Sequence, residues 1–139
     1  MSFREKSNWV LLMLTAIIYG AYFSTTIRGA LADGVPETAD NARLFGAVFL
    51  MVVLTIVAHV LMAIVFRQDA EEVDERDRVI ELRGDQRGGL LTAVGLFSVL
   101  GLALTGASVF WMAHVALGAL VGAEIVKAVS KLIDYRRGV

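Results

Sequence analysis

The stretch Leu44-Phe-Gly-Ala-Val-Phe-Leu-Met-Val-Val-Leu-Thr-Ile-Val-Ala-His-Val-Leu-Met-Ala-Ile-Val-Phe66 contains no Asp, Glu, Lys or Arg. A helix needs about 20 apolar residues to cross the hydrocarbon of a bilayer, so this run fits one crossing. Two more charge-free runs flank it, Trp9–Ile27 and Gly88–Ala123. The first fits one span, and the second is long enough for most of a helical hairpin. A 139-residue chain of which 57% is hydrophobic cannot hide three such runs in one soluble core, because surface is large relative to volume at this size. The fold expected is an all-α polytopic four-helix membrane bundle. Its helices are expected at about residues 8–28, 44–66, 90–109 and 112–133, as one domain over residues 1–139.

Charge sets the orientation. With four spans, one side receives Arg4, Lys6, Arg67, Arg76, Arg78, Arg83, Arg87, Lys127, Lys131, Arg136 and Arg137, and the other only Arg28 and Arg43. By the positive-inside rule both termini and the 67–88 loop are expected in the cytoplasm. Arg4 and Lys6 before an apolar run, with Ala30-Leu31-Ala32 after it, also resemble a secretory signal. The run is longer than a usual signal core and is followed by Arg28, so retention as a membrane helix is expected. The only proline, Pro36, lies in the short acidic connection with Asp33, Glu37 and Asp40, which leaves the helices free of proline kinks.

Composition removes several function classes. There are no cysteines, hence no disulfides, thiolate metal sites or thiol nucleophiles. The net charge of −1 gives no basis for direct nucleic-acid binding. The two histidines, His59 and His114, fall near opposite ends of their spans, so one subunit cannot use both on one haem iron. No metal site, cofactor or catalytic constellation is expected. The hydroxyls Ser24, Thr25, Thr26, Thr55, Ser98 and Ser108 have no base at a recognisable spacing, and such groups in membrane helices usually bond backbone carbonyls.

Two intramembrane polar residues stand out. Glu124 would lie roughly 12 Å inside the boundary at 1.5 Å per residue, and a central ionised acid costs about 2.5–3.5 kcal/mol on insertion scales. An acid at that depth is a functional candidate by default. Lys127, three residues on, shares its helical face and can pair with it while snorkelling outward. His59 lies at a similar depth, roughly 10 Å. It can meet Glu124 across the bundle and respond to protons, or hydrogen-bond a neighbouring helix and fix packing. His114 is expected at the outer interface. Gly118 and Gly122 form a Gly-x-x-x-Gly pair that permits close helix approach. It serves either packing of helices 3 and 4 or a seam between two copies of the chain.

The cytoplasmic segment reads Arg67-Gln-Asp-Ala-Glu-Glu-Val-Asp74-Glu75-Arg76-Asp77-Arg78-Val-Ile-Glu-Leu-Arg83-Gly84. The acid-before-base pairs Glu72–Arg76 and Asp74–Arg78 support helix, and Val73, Val79, Ile80 and Leu82 form a thin apolar stripe. A short amphipathic helix over about Ala70–Arg83, stopped at Gly84, is expected between helices 2 and 3. A solvated charged connector fits the same pattern. The acidic cluster lacks the ligand order of an EF-hand loop.

Asp74-Glu75-Arg76-Asp77, followed by Val79-Ile80-Glu81-Leu82-Arg83 and an apolar helix, resembles a family of small prokaryotic four-helix membrane proteins with a D-E-R-D cytoplasmic loop. Some members are encoded beside a small helix-turn-helix regulator. The resemblance implies location in the cytoplasmic (inner) membrane of a prokaryote. It also implies a non-enzymatic role in which Asp74, Glu75, Arg76, Asp77, Arg78 and Arg83 engage a cytosolic partner such as that regulator. Membrane lipid and a second copy of the chain are further expected partners. A proton-coupled transporter using Glu124 and His59 is the alternative. The chain resembles small multidrug exporters in size and span count, but those place their essential Glu in the first helix, and Trp9–Ile27 has none.

Overall fold

The computed structural model describes residues 3–34, 41–65 and 75–137. Four helices account for them: α1 (Phe3–Asp33), α2 (Asn41–Val65), α3 (Glu75–Leu104) and α4 (Val109–Arg137). Each is long and apolar enough to cross a membrane, and the chain is a multi-pass all-α membrane protein. Asp74 and the acidic cluster of residues 67–74 lie outside the described residues.

One expectation needs correction. The segment before the third span is not a separate amphipathic helix. From Glu75 it is continuous with α3 through Gly84, Gly88 and Gly89. A glycine inside a helix costs about 1 kcal/mol relative to Ala, so these residues read locally as stops. The reason they do not stop the helix lies on α4. A Cβ at Gly84 would come within 2.6 Å of Lys131 Cγ and Cε, and one at Gly88 would collide with Lys127 Cγ. The missing side chains leave troughs in which the lysine stems lie. Gly95 repeats the device farther along, where a Cβ would overlap that of Ala119.

The α3–α4 turn also falls earlier than expected, at residues 105–108. Gly106 has φ 71°. Its N–H donates to Ala103 O (3.2 Å), and Ala107 N–H donates to Leu102 O (3.0 Å). This is a Schellman cap, in which glycine takes the left-handed position without steric penalty. Ser108 O then accepts from Met112 N–H at 3.2 Å and opens α4. Gly34, with φ 87°, ends α1 in the same conformation.

All neighbouring helices run antiparallel. The packed pairs are α3 with α4, α4 with α1, and α1 with α2, so α1 and α4 are the inner helices of an open bundle. Tyr19 of α1 meets Leu117 and Val121 of α4 at the core, with Tyr22, Phe23, Leu44, Ala47, Val48, Met51 and Ile125 around them. The outer helices bury little. Phe49 on α2 is 70% exposed and Phe97 on α3 is 76% exposed, which suits a hydrocarbon solvent. Thr15 on α1 is buried at 2% exposure, and its hydroxyl has no hydrogen-bond partner among the described residues. An unsatisfied buried hydroxyl costs about 1–3 kcal/mol. Thr15→Val, which keeps the shape, is therefore expected to leave stability unchanged or raise it by about 1 kcal/mol. Equilibrium unfolding in mixed micelles checks this.

Candidate functional site

The end of the bundle that carries both chain termini holds a network of ion pairs across α3 and α4. Lys131 Nζ is 3.1 Å from Asp85 Oδ1, and Arg87 Nη1 is 3.0 Å from Asp134 Oδ2. Arg87 also donates to Ser130 Oγ. Asp134 and Ser130 are buried, at 5% and 7% exposure, although they sit in a tail whose lysines and arginines suggest a solvated face. The Arg136 guanidinium lies 5.9 Å from the ring centre of Trp9 on α1, a cation–π contact. Arg76 Nη2 donates to Tyr135 O at 3.2 Å, and Ile80 beside it is fully buried. One face of the Glu75–Arg87 extension is thus locked onto α4.

The opposite face is open. Val79 is 44% exposed and Leu82 is 71% exposed, and Glu75, Arg78 and Arg83 beside them are exposed. Positions 75, 78, 79, 82 and 86 recur at three- and four-residue spacing and so form one stripe. Asp77 is half-buried and makes contacts of its own.

Glu124 and His59 are not brought together. Glu124 Oε1 accepts from Lys127 Nζ at 2.8 Å, with the Glu124 side chain 47% exposed. The same lysine stem fills the trough at Gly88. His59 lies on α2, which packs on α1. Its Nδ1 is 2.9 Å from Thr55 O. A carbonyl only accepts, so Nδ1 carries the hydrogen and Nε2 accepts from Ser7 Oγ at 3.3 Å. His59 therefore ties α2 to α1. Gly118 and Gly122 face different helices: a Cβ would stand 3.7 Å from Phe23 Cζ of α1 at Gly118, and 3.3 Å from Leu91 Cδ2 of α3 at Gly122. The tightest α3–α4 approach lies instead at Gly84, Gly88 and Gly95.

His114 is the residue that sequence reasoning undervalued. It lies near the end of the bundle opposite the termini, as expected, but it is buried at 6% exposure. Its Nδ1–H donates to Phe110 O at 2.7 Å, and its Nε2 accepts from Tyr22 O–H at 2.9 Å. The imidazole lies 4.1 Å from the Phe110 ring and is stacked parallel to Tyr22 at 5.8 Å. His114 and Tyr22 join α4 to α1 by a hydrogen bond within an aromatic cluster. The signal available in sequence was the aromatic density at Tyr22-Phe23 and Phe110-Trp111, which depth alone does not convert into contact. Among the described residues no three His, Asp or Glu side chains converge as metal ligands do. No protein-family model, curated protein or solved structure matches this chain.

Proposed function

We propose that this protein is a non-enzymatic adaptor of the prokaryotic cytoplasmic (inner) membrane, with both termini and the 67–88 segment inside the cell. In this reading it captures a small helix-turn-helix regulator on the N-terminal extension of α3. The observation that carries the proposal is the two-faced Glu75–Arg87 extension. Ile80, Arg76 and Asp85 hold one face on α4, while Val79 and Leu82 stand exposed on the other between Glu75, Arg78 and Arg83. A rigid, pre-formed helix loses little conformational freedom on binding, and an apolar centre with a charged rim is the usual anatomy of a protein interface. The positive-inside bias supports the orientation, and the resemblance of residues 74–83 supports the class of partner. The proton-exchange alternative needs Glu124 and His59 in one site, whereas each engages another residue.

A photo-crosslinking residue at Leu82 is expected to give an adduct with a helix-turn-helix protein in living cells, and one at lipid-facing Phe97 is not. Charge reversal at Asp74, Glu75 and Asp77 together is expected to lower that adduct by about tenfold, as loss of an interface charge cluster does, with membrane insertion intact. An unchanged adduct in the reversed protein, or none at Leu82, contradicts the proposal.

A further inference from the structure

An apolar groove of about 190 Å³ runs along one side of the α3–α4 seam, between Thr92, Leu96 and Val99 of α3 and Ala116, Ala119 and Leu120 of α4. Leu96 and Leu120 are exposed at its rim. Thr92 is its one polar side chain, and that hydroxyl donates to Gly88 O at 3.2 Å, within its own helix. Helix periodicity carries the groove toward the end of the bundle that holds the termini. Glu124 stands four residues beyond Leu120 and Lys127 three beyond Glu124, on the groove's side of α4. On α3, Asp85 stands seven residues before Thr92, also on that side.

The charged end of the groove is layered. Its two ion pairs, Lys127 with Glu124 and Lys131 with Asp85, place the acids outward, with side chains 47% and 60% exposed, and the lysines inward, at 28% and 13%. This end also lies within the bilayer. α4 has no Asp, Glu, Lys or Arg from Val109 to Ala123, about 22 Å of helix, and α3 has none from Gly88 to Leu104, about 25 Å. The corresponding part of α2, Leu44–Val65, is about 33 Å long. Against a hydrocarbon thickness of about 30 Å, the α3–α4 hairpin is the short side of the bundle. A short span draws the bilayer thinner beside it. Lipid headgroups therefore come down to Glu124 and Lys127, and the chains beneath them meet the groove.

We propose that the groove holds a phospholipid whose headgroup carries a primary ammonium beside its phosphate. One acyl chain lies between Leu96 and Leu120, the ammonium donates to Glu124, and the phosphate accepts from Lys127. An ammonium side chain has three hydrogens, of which Lys127 gives one to Glu124. The outward carboxylates select the headgroup. A quaternary ammonium has no hydrogen to donate to them, and an anionic headgroup brings no positive charge to meet them. The site lies on the spans, apart from the exposed Val79 and Leu82 face, and does not rest on the partner-capture reading.

The test is native mass spectrometry of the full-length protein in mild detergent, titrated with phosphatidylethanolamine, phosphatidylcholine and phosphatidylglycerol that share the same oleoyl chains. Phosphatidylethanolamine is expected to bind at least about tenfold more tightly than either other lipid, the gain from one charge-assisted hydrogen bond. Glu124→Gln keeps the shape of the side chain and is expected to cut that preference to about threefold or less. Lys127→Met keeps the stem in the Gly88 trough and is expected to weaken phosphatidylcholine about tenfold, through its phosphate. Ala116→Phe fills the groove without altering charge and is expected to weaken all three lipids, with thermal stability unchanged. Glycerophosphoethanolamine, the headgroup without chains, is not expected to bind. Equal affinity for the three lipids, or a preference unchanged by Glu124→Gln, overturns the proposal. So does phosphatidylcholine binding unchanged by Lys127→Met, or full lipid binding by stable Ala116→Phe protein. Binding of the chain-free headgroup as tight as that of the lipid, or a dimer of the chain that excludes all three lipids, overturns it equally.

Discussion

Gly95→Leu is expected to split α3 from α4. A Cβ at this position would overlap that of Ala119, so even alanine forces the helices apart, and leucine adds three more carbons. Overpacking of a tight interface costs about 1–3 kcal/mol and occasionally more. The upper part of that range applies here, because the obstacle is a β-carbon close to backbone rather than the end of a flexible chain. Lipid gives no hydrophobic force to press the helices back together. The expected loss is about 3 kcal/mol of α3–α4 association. Disulfide trapping between cysteines placed at Thr92 and Ala119 checks it, with much slower trapping in the variant. Gly101→Leu is the control, since a Cβ there meets nothing within 4 Å and no change is expected.

Removal of the Arg87 side chain is the second large effect. Arg87→Leu leaves Asp134, whose side chain is 7% exposed, without its ion-pair partner 3.0 Å away, and deprives Ser130 of a donor. An uncompensated buried charge costs about 3–5 kcal/mol. Arg87 itself is 49% exposed, so solvent already weakens the pair, and a loss of about 2 kcal/mol is expected. The double variant Arg87→Leu with Asp134→Leu is expected to recover most of it, because an apolar pair leaves no stranded charge. Equilibrium unfolding of the single and double variants measures both. Equal instability in the two would mean that shape, not charge, holds this end together.

These two sites show where local sequence stops being informative. The spans were legible because absence of charge over some 20 residues is a property of the segment itself. The pairing of Glu124 with Lys127 was legible because three residues on a helix fix proximity. The continuity of α3 was not. Gly84 and Gly88 carry stop signals locally, and their purpose is set by Lys131 and Lys127, 47 and 39 residues away on α4. Depth was also a poor guide to contact. Counting along the spans puts His59 and Glu124 at similar depths, but α2 packs on α1, so His59 meets Ser7. His114 was placed at the right height and in the wrong environment, because its burial depends on the rotation of α1 that brings Tyr22 inward. Asp134 sits among basic residues that look solvated, and Arg87 of α3 reveals its role.

The most direct test of the four-crossing arrangement uses the natural absence of cysteine. Single cysteines are placed at Asp33, Gln86, Ser108 and Arg137 and challenged with a membrane-impermeant thiol reagent in intact cells. The account predicts labelling at positions 33 and 108 from outside, and at positions 86 and 137 only after permeabilisation. Labelling that places 86 and 137 on opposite sides of the membrane would contradict it, as would a protein that leaves the membrane fraction without detergent.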